Sequence, residues 1–206
     1  MPQPRGRLAA VILAAGRSRR FGGAKLLAEF RGRPLLWHVL DVVAAGGASG
    51  ILADARVVVA ADDEAVSALA HSAGVPCVVN ADSDQGLSTS LRCGLASLPA
   101  DADAALVLLG DQPMIRLDVV AQLAAAWRAG AGPILRPRYA GAPGTPGHPV
   151  LLERTAWPLV DRLKGDAGFG SLFASAAADV TIVDVPGVNP DVDTPADLHA
   201  LNGPAS

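Results

Sequence analysis

Lysine is almost missing from this chain. Of 17 basic side chains among 206 residues, only Lys25 and Lys164 are lysines, and the other fifteen are arginines. A basic excess is missing too, since 20 acidic residues against those 17 leave a formal charge of −3. Without surplus cations a chain cannot hold a nucleic acid backbone by counterion release, so no nucleic acid partner is expected. Cysteine is scarce. Cys77 and Cys93 form neither a CxxC pair nor a Cys/His metal spacing. That excludes a disulfide scaffold, and both are expected as reduced thiols in or near the core. No apolar run reaches the length of a membrane span. The segment Met1 to Arg7 is basic, but the apolar run after it is broken by Gly16 and a cluster of arginines, unlike a signal peptide. These absences point to a cytoplasmic protein without a membrane partner.

What the chain does have is apolar residues, 50% of the total, with only 18% charged. That excludes disorder and suffices to bury a sizeable core. Short apolar runs alternate with amphipathic stretches. Strands are expected at Leu8 to Ala14, Arg56 to Ala61, Val75 to Asn80, Ala104 to Leu109, Pro133 to Arg136 and Val180 to Val185. A further short apolar segment runs from Val150 to Leu152. Helices are expected from Pro34 to Ala45 (ended by Gly46-Gly47), from a cap at Asp62 through Ala73, from Ser88 to Leu98 and from Leu117 to Ala129. Others should cover Thr155 to Leu163, Gly168 to Ala178 and Pro195 to Leu201. Pro137 to Pro149, crowded with Gly and Pro, reads as a long loop of the kind that carries function. Strands alternating with helices imply an α/β fold, a doubly wound and mostly parallel sheet in three layers. Ligands in such sheets sit at the carboxyl ends of the strands. Here those ends are the loops after Ala14, Asn80 and Leu109.

The loop after the first strand reads Leu13-Ala14-Ala15-Gly16-Arg17-Ser18-Arg19-Arg20-Phe21-Gly22-Gly23-Ala24-Lys25. Glycine-rich backbone after a strand can cradle an anion. It is neither a Walker loop nor a GxGxxG fingerprint, because the lysine stands alone and Ala14-Ala15-Gly16 supplies one glycine of three. Four cations around three glycines suit a polyphosphate, with Arg19 expected to face solvent. Asp111 follows an apolar strand in Gly110-Asp111-Gln112-Pro113, aimed at the same end of the sheet. Asp191 and Asp193 lie two apart, and only one of them is expected to share a metal with Asp111. Thr194 and Pro195 suit the cap and first turn of a helix.

These motifs together resemble the nucleotidyltransferases of molybdenum cofactor biosynthesis, a MobA-like NTP transferase domain of Rossmann-like or GT-A-like fold. Within that family Ala15-Gly16 is similar to the cytidylyltransferase branch, since the guanylyl branch usually has Gly-Gly there. The resemblance rests on five segments in order. They are Leu13 to Lys25, Asn80 with Gly86-Leu87-Ser88-x-Ser90-Leu91, Gly110 to Pro113, Gly147-His148-Pro149-Val150 with Gly165-Asp166-x-Gly168, and Asp191-x-Asp193-Thr194-Pro195-x-Asp197-Leu198. It implies one nucleotidyltransferase domain over residues 8–202 behind a flexible tail, 1–7. It also implies CMP transfer from CTP, or another NTP, to molybdopterin with release of pyrophosphate.

By the same resemblance Lys25, Arg20 and Asp111 would be catalytic. Leu13, Ala14, Ala15, Gly16, Arg17, Lys25, Asn80, Gly86, Ser88 and Ser90 would bind nucleotide, with capping as the alternative role for the two serines. Mg²⁺ would be held by Asp111 with Asp193 or Asp191, and His148 and Asp166 would face the acceptor. Lys164 abuts that acceptor segment and reads equally as a solvated helix end. Where the family tends to follow Gly-Asp-x-Gly with Ala-Arg, this chain has Phe169-Gly170. A sugar phosphate or other small phosphate is therefore an alternative acceptor, guanylyl transfer an alternative reaction, and a non-catalytic molybdoenzyme chaperone a third reading.

Overall fold

A computed structural model describes residues 6–16, 18, 20–142, 144, 146–166, 168–174 and 179–203. Arg17, Arg19 and most of the expected tail fall outside these. Strands β1 (Leu8–Leu13), β2 (Glu29–Phe30), β3 (Arg33–Pro34), β4 (Asp54–Ala60), β5 (Cys77–Asn80), β6 (Ala104–Leu109), β7 (Ile134–Tyr139), β8 (Val150–Glu153) and β9 (Val180–Val185) follow in chain order. Helices α1 (Leu35–Ala48), α2 (Glu64–Ser72), α3 (Leu87–Ala96), α4 (Leu117–Arg128), α5 (Phe169–Ala174) and α6 (Pro195–Asn202) lie between and after them. Single-turn 3₁₀ segments occur at Lys25–Leu27 and Ser83–Gln85, and a longer one covers Arg154–Arg162.

Among the described residues the main sheet has seven strands in the order β5-β4-β1-β6-β8-β7-β9. Pairings β1–β4, β1–β6, β4–β5 and β7–β9 are parallel, whereas β8 runs antiparallel to β6 and β7. β1 is central, which explains its continuous apolar run, because a strand covered on both faces cannot alternate with polar residues. Its period of two sorts it into two cores. Leu8, Ala10 and Ile12 join Leu36, Val39, Leu40, Val66 and Leu123 from α1, α2 and α4. Ala9, Val11 and Leu13 join Leu91 and Leu95 of α3, Val160 and Phe169 on the other face. Each fully buried Leu or Ile contributes roughly 1.5–3 kcal/mol, so this double-sided strand anchors the loop that follows it.

Several sequence expectations shift. Gly46-Gly47 does not end α1, which continues to Ala48. A Cβ at Gly46 would sit 2.7 Å from Leu52 Cδ1, so the glycine admits a close packing contact inside the helix. The cap of α2 is Asp63, not Asp62: its carboxylate accepts from Val66 N at 3.0 Å. β7 runs on to Tyr139, which shortens the expected loop from Pro137. The Thr155 to Leu163 helix is 3₁₀ in form and carries Pro158. α5 is described through Ala174, and residues 175–178 of the expected helix lie outside the described set. The β2–β3 pair carried no apolar period and was not expected. No helix among the described residues is long and apolar enough to cross a membrane.

Candidate active site

The loops after β1 and β6 and the segment before α6 converge on a cleft of about 510 Å³. Leu13, Ala14, Ala15 and Gly16 line it from the end of β1, with Arg20 and Lys25 from the rest of that loop. Lys25 is only 8% exposed, and its 3₁₀ turn holds it under the loop. Its Nζ lies 2.5 Å from Asp111 Oδ2 and 3.5 Å from Asp193 Oδ1. The exposed Arg20 reaches the other oxygen of Asp193 at 3.1 Å.

Asp191 and Asp193 both line this cleft, and a spacing of two suits a shared side, since alternate residues of extended backbone face the same way. The segment itself forms no strand. Val192 N donates to Asp111 O at 3.0 Å, which fastens the segment to the β6 loop between its two carboxylates. Burial pushes the Asp191 carboxyl above its ordinary value. The Asp111 and Asp193 charges push the same way, while Gln112 and Lys25 oppose them. Thr194 caps α6 in a capping box with Asp197, so the helix-start reading of Asp193-Thr194-Pro195 and the carboxylate cluster coexist.

The second loop is built differently from expectation. Gly86 and Ser90 line the cleft; Asn80 and Ser88 do not. Asn80 is buried and spent on the fold, donating to Thr89 Oγ1 at 2.9 Å and Ser90 Oγ at 3.0 Å and accepting from Asp82 N at 3.0 Å. Ser88 is not an N-cap, because the helix already begins at Leu87 and the serine is buried within it. Its N–H donates to Gly165 O at 3.1 Å. Gly86 has φ +102, and a Cβ there would meet the Gly165 carbonyl carbon at 2.3 Å. The second loop thus clasps the Gly165-Asp166 segment, and Asp166 joins the cleft wall.

His148 does not line the cleft. Its ring packs 5.9 Å from that of Phe169, with Nδ1 buried. Burial and the nearby Arg136 guanidinium push its pKa down to about 4, so it is neutral at physiological pH. Lys164 is exposed and lies outside the cleft lining. Sequence reasoning also passed over Gln112 and Asn189. Gln112 Nε2 donates to Asp191 Oδ1 at 2.7 Å, and Asn189 Nδ2 donates to Gln112 Oε1 at 2.9 Å. Gln112 sat in a motif already singled out, whereas an Asn before Pro reads as a turn.

A cationic glycine loop facing a carboxylate wall, at the carboxyl ends of parallel strands, suits transfer of a phosphoryl-linked group with little covalent work by the protein. This combination of fold and site defines a nucleotidyltransferase.

Comparison with known proteins narrows the class. Residues 10–181 match the family described as the MobA-like NTP transferase domain. The chain is 29% identical over 199 residues to the nicotine blue oxidoreductase of Paenarthrobacter nicotinovorans, covering 93% of this chain and 94% of that one. It is 35% identical over 134 residues to the bifunctional protein GlmU of Sorangium cellulosum, covering 62% of this chain but only 28% of that protein. Among solved structures, Rv0371c from Mycobacterium tuberculosis H37Rv superposes with a TM-score of 0.82 at 31% identity, over 95% of this chain and 98% of that one. A complex of Rv0371c with manganese superposes with a TM-score of 0.78 at 29% identity, over 95% of this chain and 97% of that one. The chain belongs to the MobA-like NTP transferase family.

Proposed function

We propose that this protein transfers CMP from CTP to a molybdopterin-type phosphate in the cytoplasm, releasing pyrophosphate. The carrying observation is Lys25, whose ammonium bridges Asp111 and Asp193 from distant parts of the chain. One cation already shared by two carboxylates marks a place that a divalent ion fits. Mg²⁺ is satisfied by one or two carboxylates plus substrate phosphates. Charge supports the same reading. Asp111, Asp191 and Asp193 gather beside Lys25 and Arg20 in the cleft lining, a carboxylate cluster to which a divalent ion and a triphosphate together would bring matched charge.

Asp111 and Asp193 would hold the metal, with Asp191 beside them. When bound, the ion supplies neutralisation of phosphate charge as pyrophosphate leaves. Gly16 and its neighbours offer backbone N–H groups to the phosphates. Lys25 and Arg20 meet charge developing on the α-phosphate, in a cleft where partial burial strengthens each contact. An acceptor phosphate oxygen forms the new bond to the α-phosphorus. The bond to the bridging oxygen breaks, and pyrophosphate carries away that electron pair. Gly86 and Ser90, which line the cleft, would contact base and ribose, and the clasp with Gly165 would bring the acceptor segment beside the nucleotide.

A second acceptor reading is favoured by Gly170. It is exposed, and a Cβ there meets nothing within 4 Å, where the resemblance leads one to expect an arginine. A sugar phosphate or another small phosphate would need no cation at that point. Likeness along nearly the whole chain to a protein named nicotine blue oxidoreductase makes redox turnover of nicotine blue a useful control reaction. The test is pyrophosphate release from CTP and GTP across molybdopterin, sugar phosphates and small alcohol phosphates. Release with CTP and molybdopterin alone is expected. Release with a sugar phosphate alone would replace the acceptor, and GTP preference would replace the nucleotide. Tight CTP binding with no release under any acceptor would favour a chaperone for a molybdoenzyme.

A further inference from the structure

We infer that Gln112 and Asn189 are positioning residues, a buried pair of amides that holds the Asp191 carboxylate in the cleft. The inference rests on the functional reading above. Both side chains are nearly inaccessible, at 5% and 9% exposure. They act in series. Asn189 Nδ2 donates to Gln112 Oε1 at 2.9 Å and lies 3.4 Å from His148 O, and Gln112 Nε2 donates to Asp191 Oδ1 at 2.7 Å. Tyr139 Oη donates to the same His148 carbonyl at 2.8 Å, which fixes the far end of the chain to β7.

The sequence makes this arrangement economical. In Gly110-Asp111-Gln112-Pro113, Asp111 lines the cleft while its neighbour Gln112 is buried. One turn therefore presents one carboxylate directly and a second through an amide. Asp191 needs such a support. The charged groups around it are Asp111 and Asp193, which repel it, and Lys25, which is already engaged with both of them. Gln112 supplies its side-chain donor, and an amide can do so without adding charge to the cluster. A buried primary amide is costly unless both of its ends are satisfied, and Asn189 satisfies the other end. Residues that orient a metal-facing carboxylate in this way commonly change metal affinity or activity by about ten- to a hundredfold when removed.

The test is Mn²⁺ affinity without nucleotide, read from the free-ion signal in electron paramagnetic resonance, alongside kcat and KM for CTP. Gln112→Met keeps length and volume but removes the donor. It is expected to weaken Mn²⁺ binding and lower kcat by about tenfold or more, with KM for CTP little changed. In an Asp191→Asn background the same substitution should cost almost nothing further, because a residue acting through Asp191 has no carboxylate left to hold. Equal losses in both backgrounds, or unchanged Mn²⁺ affinity in Gln112→Met, would overturn the inference. Asn189→Ser is the second variant, should Gln112→Met fold poorly. A smaller loss of the same kind is expected from it, and no change in Mn²⁺ affinity would count against the relay. Mn²⁺ binding is read without turnover, so an inactive wild-type protein would count against the reaction and leave the relay to be judged on affinity alone.

Discussion

The two sides of the sheet build the cleft by different means. On the β5-β4-β1-β6 side, parallel strands run straight into the loops that carry Gly16, Lys25 and Asp111, and the site follows from strand direction. On the β8-β7-β9 side, strands supply support from a distance. Asp166 reaches the cleft because Gly165 is clasped by Gly86 and Ser88, and Asp191 because Gln112 and Asn189 hold it. A strand end needs only local sequence to aim a residue. A clasp or relay needs partners from elsewhere in the chain, so the second side is the one where substitutions outside the cleft should be felt.

Lys25 tests the strand-end side most severely. A guanidinium fork does not replace a compact ammonium held 2.5 Å from a carboxylate and nearly buried, so Lys25→Arg should lower pyrophosphate release by roughly 10²-fold. Near-normal steady-state rates would remove Lys25 from the mechanism. On the supported side, His148 sits with its pKa pushed down to about 4 from 6.5. Between those values the unfolded chain binds the extra proton. The stability tied to this imidazole is therefore intact above pH 6.5 and lost as pH falls toward 4, by at most about 3 kcal/mol. Denaturant titrations from pH 7 to 4 should show that slope in the wild type and a shallower one in His148→Gln; parallel slopes would count against it.

The clasp gives a smaller expectation. Gly86→Ala imposes a Cβ at positive φ against the Gly165 backbone and should cost about 1–3 kcal/mol. Differential scanning calorimetry should show the drop in melting temperature, and a raised KM for the acceptor should accompany it. An unchanged Tm would mean that the two segments are not tightly joined. Lys164→Arg completes the contrast with Lys25. Exposed and outside the cleft lining, it should leave the rate unchanged, and a clear loss would bring Lys164 back to the acceptor.

How much of this was legible in the sequence follows the same division. β1 and β6 were readable because burial on both faces leaves an uninterrupted apolar run, and the loops after them were readable by strand direction. Lys25, Asp111 and Asp193 could each be named, but their meeting could not be derived from spacing. Lys25 and Asp111 are 86 residues apart, and only the folded sheet brings them together. Asn80 looked like a ligand residue because a buried amide clamp and a nucleotide contact carry the same residue type. His148 was read as facing the acceptor, and its ring packs at a tilt 5.9 Å from that of Phe169. Asp191 and Asp193 were not expected to act together, although residues two apart share a face in extended backbone, and both line the cleft. Gln112 and Asn189 were invisible as a pair, since nothing local links a turn after β6 to a turn before α6.

The lysine shortage with which the sequence began now has a structural counterpart. One lysine is exposed, and the other is buried at the meeting point of two aspartates. The most direct test of the whole account is the rate of CTP-dependent pyrophosphate release with Mg²⁺ and acceptor in wild type and in Asp111→Asn. Release by the wild type is expected, with a loss of roughly 10²–10³-fold in the variant and CTP binding retained. Full turnover by Asp111→Asn would contradict it.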